Sequence, residues 1–140
     1  MHKRRTRSLF LICSAFVAIF AVHTALAIDF YVDPAGSNTA PYTNQAMAAH
    51  SIPVAVDLAE TGDTVWVAPG TYNLSRTIDY RFFAITVRSQ SGNPADTIVD
   101  GQNVLRCFHL RSSFASVMGF TIRNGNAPDS DNGYAYGGGV

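Results

Sequence analysis

Hydrophobic positions along this chain fall into three successive patterns. From Leu9 to Val22 they form one apolar run, preceded by Lys3, Arg4, Arg5 and Arg7 and followed by Ala25-Leu26-Ala27. A basic stretch, an apolar run and an A-x-A ending together make a cleaved secretory signal, so residues 1–27 read as a leader and Ile28 as the mature start. An uncleaved anchor is the competing reading, because Leu9 to Ala27 is 19 residues and nearly spans a bilayer. His23 and Thr24 interrupt the run and favour cleavage. A lipoprotein site at Cys13 is excluded, since it needs a small residue where Ile12 stands.

The second pattern has a helical stagger. After a strand expected over Asp29 to Asp33 and a loop of Pro, Gly, Ser and Asn, the residues Ile52, Ala55, Val56 and Ala59 fall at i, i+3, i+4 and i+7. Ser51 stands at the N-cap position, Pro53 suits a first turn, and the helix is expected to end before Gly62. With one apolar side, this helix needs a surface to cover, such as the open end of a sheet or solenoid. Residues 28–62 thus form an N-terminal strand, loop and cap helix.

From Thr64 onward the pattern changes to short runs of Val, Ile, Thr and Phe separated by Gly, Pro, Asn and Asp, which predicts strands. The runs repeat: Thr77-Ile78, Thr97-Ile98 and Thr121-Ile122 are 20 and 24 residues apart, and Val67, Val87 and Leu110 are 20 and 23 apart. A period of this length with strands in every unit predicts a solenoid of stacked coils sharing one core over residues 63–140. Leucine-rich repeats lack support, because Leu74, Leu105 and Leu110 are isolated. The fold class expected is an all-β solenoid, a parallel β-helix with a short N-terminal capping helix. Strand alternation then points Val65/Val67, Ile85/Val87 and Phe108/Leu110 inward and Trp66, Thr86 and His109 outward in one register, with Ile78, Ile98 and Ile122 in a common interior row.

Composition narrows the function classes. The whole chain has 10 Lys+Arg and 10 Asp+Glu, but four of the bases lie in the leader, so residues 28–140 hold 6 Arg against 10 acids, a net of −4. That balance excludes a polybasic nucleic-acid or membrane-surface protein. The mature part has no Lys, one Glu and all 11 Gly, which disfavours a helical bundle. Its lone Cys107 cannot form an internal disulfide and reads as a small inert residue in or beside a strand.

The segments Gly62-Asp63-Thr64-Val65-Trp66-Val67-Ala68-Pro69-Gly70-Thr71-Tyr72, Thr97-Ile98-Val99-Asp100-Gly101, Gly119-Phe120-Thr121-Ile122-Arg123-Asn124-Gly125 and Gly137-Gly138-Gly139-Val140 resemble the N-terminal part of secreted bacterial right-handed parallel β-helix proteins of the pectin-lyase-like superfamily. The ending is also similar to the GG[AI] repeats of polymorphic outer-membrane proteins, although Phe120 and Asn124 are four apart and miss their F-x-x-N motif. The resemblance implies a right-handed coil and a secreted, extracellular or bacterial outer-membrane location. It also implies an N-terminal fragment truncated at the C-terminus, because the family would continue with further coils past Val140. Polysaccharide lyases and glycoside hydrolases of the superfamily act in middle coils, so an enzyme would keep its catalytic residues beyond residue 140, and Ca²⁺ enters by this resemblance alone.

No catalytic constellation is evident in the residues: no Ser-His-Asp arrangement, zinc-ligand spacing or phosphate loop occurs. Asp129-Ser130-Asp131-Asn132-Gly133 lacks the length and closing Glu of an EF-hand and reads as a solvated turn. Asp100 and Asn124 read as a turn or short polar ladder, and Asp57, Glu60 and Asp63 as helix-face and helix-end solvation. His109 has no acid in its expected repeat and is weak as a base. The candidate ligand-binding residues are Trp66, Arg88, His109 and Arg111, an outward aromatic and imidazole column flanked by two guanidinium groups. Such a face suits a sugar ring and uronate carboxylates, since Arg binds carboxylate bidentately. An ordinary solvent-facing strand is the plainer reading. The partners expected are a polysaccharide or the cell-envelope surface, with no nucleic acid, no metal or other cofactor, and no membrane span once the signal is removed.

Overall fold

A computed structural model describes residues 26–127. The leader up to residue 25, the acidic segment 129–133 expected as a turn and the glycine run at 137–139 lie outside the described residues.

The first strand, β1 (Asp29–Val32), buries Phe30 and Val32 and leads through a loop with a short 3₁₀ turn at Gln45–Met47 into α1 (Ile52–Leu58). The helix forms as its stagger predicts: Ile52, Ala55 and Val56 are buried with Ala59 just beyond, and Pro53 sits in the first turn. Ser51 occupies the N-cap position, but its hydroxyl makes no capping bond. The helix packs on the first sheet and on β4 below.

Eight strands follow: β2 (Thr64–Val67), β3 (Gly70–Asn73), β4 (Ile78–Asp79), β5 (Thr86–Ser89), β6 (Thr97–Asp100), β7 (Phe108–His109), β8 (Ser116–Met118) and β9 (Thr121–Arg123). Every pairing is parallel, in three sheets ordered β1-β2-β5-β8, β3-β6-β9 and β4-β7. From β2 the chain visits the first, second and third sheets in turn, and repeats that circuit. Alternate residues of each strand face a shared interior, as a period of 2 requires. There Val65, Val67, Val87, Val99, Ile78, Ile85 and Tyr80 are wholly buried together with the apolar side of α1. The Tyr80 hydroxyl, buried with its ring, is satisfied by donating to Ser116 O at 3.1 Å.

The observed register corrects the expected one. Val65 lies beside Val87 and Val87 beside Val117, which are steps of 22 and 30; Tyr72, Val99 and Ile122 step by 27 and 23; Ile78 lies beside Phe108, a step of 30. The circuits differ in length because their turns differ. Ile78, Ile98 and Ile122 therefore do not form one row: Ile78 belongs to the third sheet, Ile98 is half-buried beside Thr121, and Ile122 stacks on Val99. Val67 pairs with Ser89, not with Val87, and Leu110 is 40% exposed just past β7. Asp63, expected as a solvated helix-end residue, is 6% exposed and accepts the backbone N–H groups of Ile28 and Glu60, both at 2.8 Å.

Close approach requires glycine at Gly36, where a Cβ would lie 2.5 Å from Ala48 O, and again at Gly101. A Cβ at Gly101 would lie 2.6 Å from both Asn124 O and Leu105 O and 2.9 Å from Cys107 Sγ, so only hydrogen fits where the chain turns from the second sheet toward the third.

Candidate functional site

The four residues singled out in the sequence divide between two sheets. On the outer side of the first sheet the ladder runs Tyr31, Trp66, Arg88, Met118. Arg88 thus neighbours Trp66 directly, with its Cζ 4.5 Å from the ring centroid, a cation–π contact formed because parallel pairing sets the two residues one strand spacing apart. Thr86, expected in the Trp66 column, lies in the alternate one, paired with Thr64 and Ser116, and its hydroxyl accepts from Ser116 Oγ at 3.0 Å.

His109 and Arg111 belong to the third sheet. His109 lies beside Asp79 in the β4–β7 ladder, its Nδ1 3.6 Å from Asp79 Oδ2, so an acid does stand next to this imidazole. At that separation there is no hydrogen bond to fix the ring. Asp79 is engaged elsewhere: Oδ1 accepts Arg81 N at 2.7 Å and Oδ2 accepts Arg111 Nη2 at 3.2 Å. Thr77, Asp79, Arg106 and His109 line an open depression of about 280 Å³. Sequence reasoning missed this cluster because it placed His109 over Trp66 and Thr86. The signal that finds it is the recurrence of an arginine pair five residues apart, Arg76 and Arg81 and then Arg106 and Arg111, at a step of 30, the same step as the ladder.

Charge pairing separates structural arginines from available ones. Arg76 and Arg81 both bond the Asp57 carboxylate, Arg111 bonds Asp79, and Arg123 donates from Nε to Asp100 at 2.8 Å. Among the described residues Arg88 and Arg106 have no carboxylate within ion-pair reach, and the Nε atoms of both, like Trp66 Nε1, are buried without a hydrogen-bond partner. A buried donor lacking an acceptor is unfavourable, and it is a place where an added acceptor gains more than elsewhere.

Asp100 is a structural clasp. Gln102 N, the Asn124 amide and the Arg123 guanidinium all donate to it, and these donors hold its carboxyl below the usual carboxylate range. The polar-ladder reading of Asp100 is right in kind, although its strand partner is Arg123 and Asn124 follows one residue later. Cys107 is buried immediately before β7, and burial, with a smaller contribution from Asp100, pushes its thiol up, as an inert cysteine requires.

No group of three His, Cys, Asp or Glu side chains among the described residues could hold a metal ion, and no helix among them is long and apolar enough to cross a membrane. Comparison of the chain with protein-family models, with curated proteins and with solved structures finds no match in any of the three.

Proposed function

We propose that this chain is an exported right-handed parallel β-helix, acting as a structural and binding solenoid outside the cell or at its surface, and that the outer side of its first sheet binds acidic polysaccharide. The cyclic passage through three parallel sheets supports the β-helix reading, since each circuit lays its strands beside those of the last. The general preference for right-handed crossovers between parallel strands supports the right hand. The leader pattern in residues 1–27 supports export.

The observation that carries the binding reading is Arg88 held over Trp66 with no acidic partner among the described residues. The Arg88 guanidinium, with its Cζ 4.5 Å from the Trp66 ring centroid, has no carboxylate of its own among the described residues, and a uronate carboxylate matches the N–H fork of an arginine. Tyr31 beside Trp66 extends the aromatic strip along the stacking direction, where neighbouring strands are about 4.8 Å apart. A linear acidic chain lying across the strands would meet ring and guanidinium in succession.

Trp66 is the single tryptophan, so its emission reports this strip alone. Titration with acidic oligosaccharides is expected to change Trp66 fluorescence, with neutral oligosaccharides of the same length giving less and Arg88→Gln abolishing the response. No change at millimolar acidic ligand would refute the reading.

A further inference from the structure

The start of β1 carries an arrangement that the glycan site does not use. Asp63 is a carboxylate 6% exposed, and among the described residues it has no arginine or histidine partner. A buried anion needs a counter-charge or a full set of donors. The donors it has are two backbone N–H groups, Glu60 N on Oδ2 and Ile28 N on Oδ1, each at 2.8 Å. Ile28 is the residue at which the Ala25-Leu26-Ala27 pattern places the mature start.

We propose that removal of the leader between Ala27 and Ile28 turns the Ile28 nitrogen into an ammonium group that docks on Asp63, so that processing completes the fold by supplying the missing counter-charge. The step is a hydrolysis by a signal peptidase: the Ala27 C–N bond breaks, water gives hydroxide to the Ala27 carbonyl carbon and a proton to the Ile28 nitrogen, and a second proton from solvent makes the amine an ammonium. The scissile bond is reachable, because Leu26 is 85% exposed and Ile28 47%. The nitrogen need not move to form the pair. Thr64 N already donates to Ile28 O at 3.0 Å, which fixes Ile28 on the edge of the first sheet, and cleavage alters only the acyl side of the bond. Leu26, Ile28, Leu58, Glu60, Thr61 and Asp63 line a depression of about 270 Å³ at this point, and the two charged residues among them are both acids. A cation gains there from Asp63 by contact and from Glu60 at longer range.

This inference rests on the export reading and is independent of the glycan site. The chain with its leader is expressed in a secreting host, and the mass of the exported product gives its first residue. The product is then acetylated at its amino terminus in urea and refolded; residues 28–140 contain no lysine, so acetic anhydride meets a single amine. Acetylation keeps an N–H donor on Ile28 but deletes the charge. The expected result is a product starting at Ile28 whose thermal midpoint falls by about 4–8 °C on acetylation, with no such fall in the Asp63→Asn chain. In the native product the amine should also react with the anhydride more slowly than in urea. A first residue other than Ile28 overturns the export reading at this bond and the proposal with it. A product that does start at Ile28, but whose free and acetylated forms melt together, overturns the docking alone.

Discussion

Two neighbours on β6 separate the observed register from the one a fixed period suggests. Val99 is wholly buried between Tyr72 and Ile122, whereas Ile98, one residue earlier and one carbon larger, is half-buried on the outer side. Val99→Ala removes two buried methyl groups, about 1.6 kcal/mol of transfer free energy at ~0.8 kcal/mol per carbon. The cavity left in a closely packed interior raises the cost to roughly 2–3 kcal/mol. Ile98→Ala removes three carbons that stay partly in water and alters strand preference, so its cost should remain below about 1 kcal/mol. Both changes sit in one strand, which makes local backbone effects common to the pair. Urea unfolding followed by circular dichroism measures the two midpoints. With a slope of about 1–2 kcal/mol per molar, Val99→Ala should lower the midpoint by roughly 1 M or more and Ile98→Ala by well under that. An Ile98→Ala midpoint as low as that of Val99→Ala would refute the register.

Three further outcomes follow from the same contacts. Gly101→Ala should destabilise by about 2–3 kcal/mol, because its Cβ meets two backbone carbonyls that cannot rotate away; an unchanged thermal midpoint would contradict the close packing. The donors on Asp100 hold its folded carboxyl below the unfolded value, so the stability it contributes is present at neutral pH and is lost as pH falls through the folded value. The gap in unfolding free energy between the wild type and Asp100→Asn should accordingly be flat near pH 7 and shrink in acid, and a gap that widens in acid would reverse the assignment. Cys107, buried with its thiol pushed up, should resist iodoacetamide at pH 8 in the folded chain and react in urea, as read by mass spectrometry of its peptide; equal labelling in both states would place it at the surface.

Local features of this fold were legible because local rules decide them. The stagger of Ile52, Ala55, Val56 and Ala59 fixes a helix with one buried side, and the alternation around Val65-Trp66-Val67 fixes a strand and its inner face. The stacking partners were not legible, because they depend on how many residues each turn uses. Steps of 22, 23, 27 and 30 in one small chain defeat any search for a constant period, and a shift of one residue exchanges inner for outer, as at Ile98 and Val99. The Trp66–Arg88 contact escaped for that reason: at a step of 20 Trp66 meets Thr86, and at the true step of 22 it meets Arg88. Asp63 escaped for another. Nothing in Gly62-Asp63-Thr64 reveals that a backbone nitrogen 35 residues earlier ends on its carboxylate.

The claim on which all of this depends is that the chain circles through three parallel sheets with the partners named above. Interstrand nuclear Overhauser effects test it most directly, because backbone protons of adjacent strands lie within about 5 Å at a strand spacing near 4.8 Å. Cross-peaks joining Val65 with Val87, Tyr72 with Val99 and Ile78 with Phe108 are the predicted result. Cross-peaks that join Ile78 with Ile98 and Ile98 with Ile122 instead would contradict it.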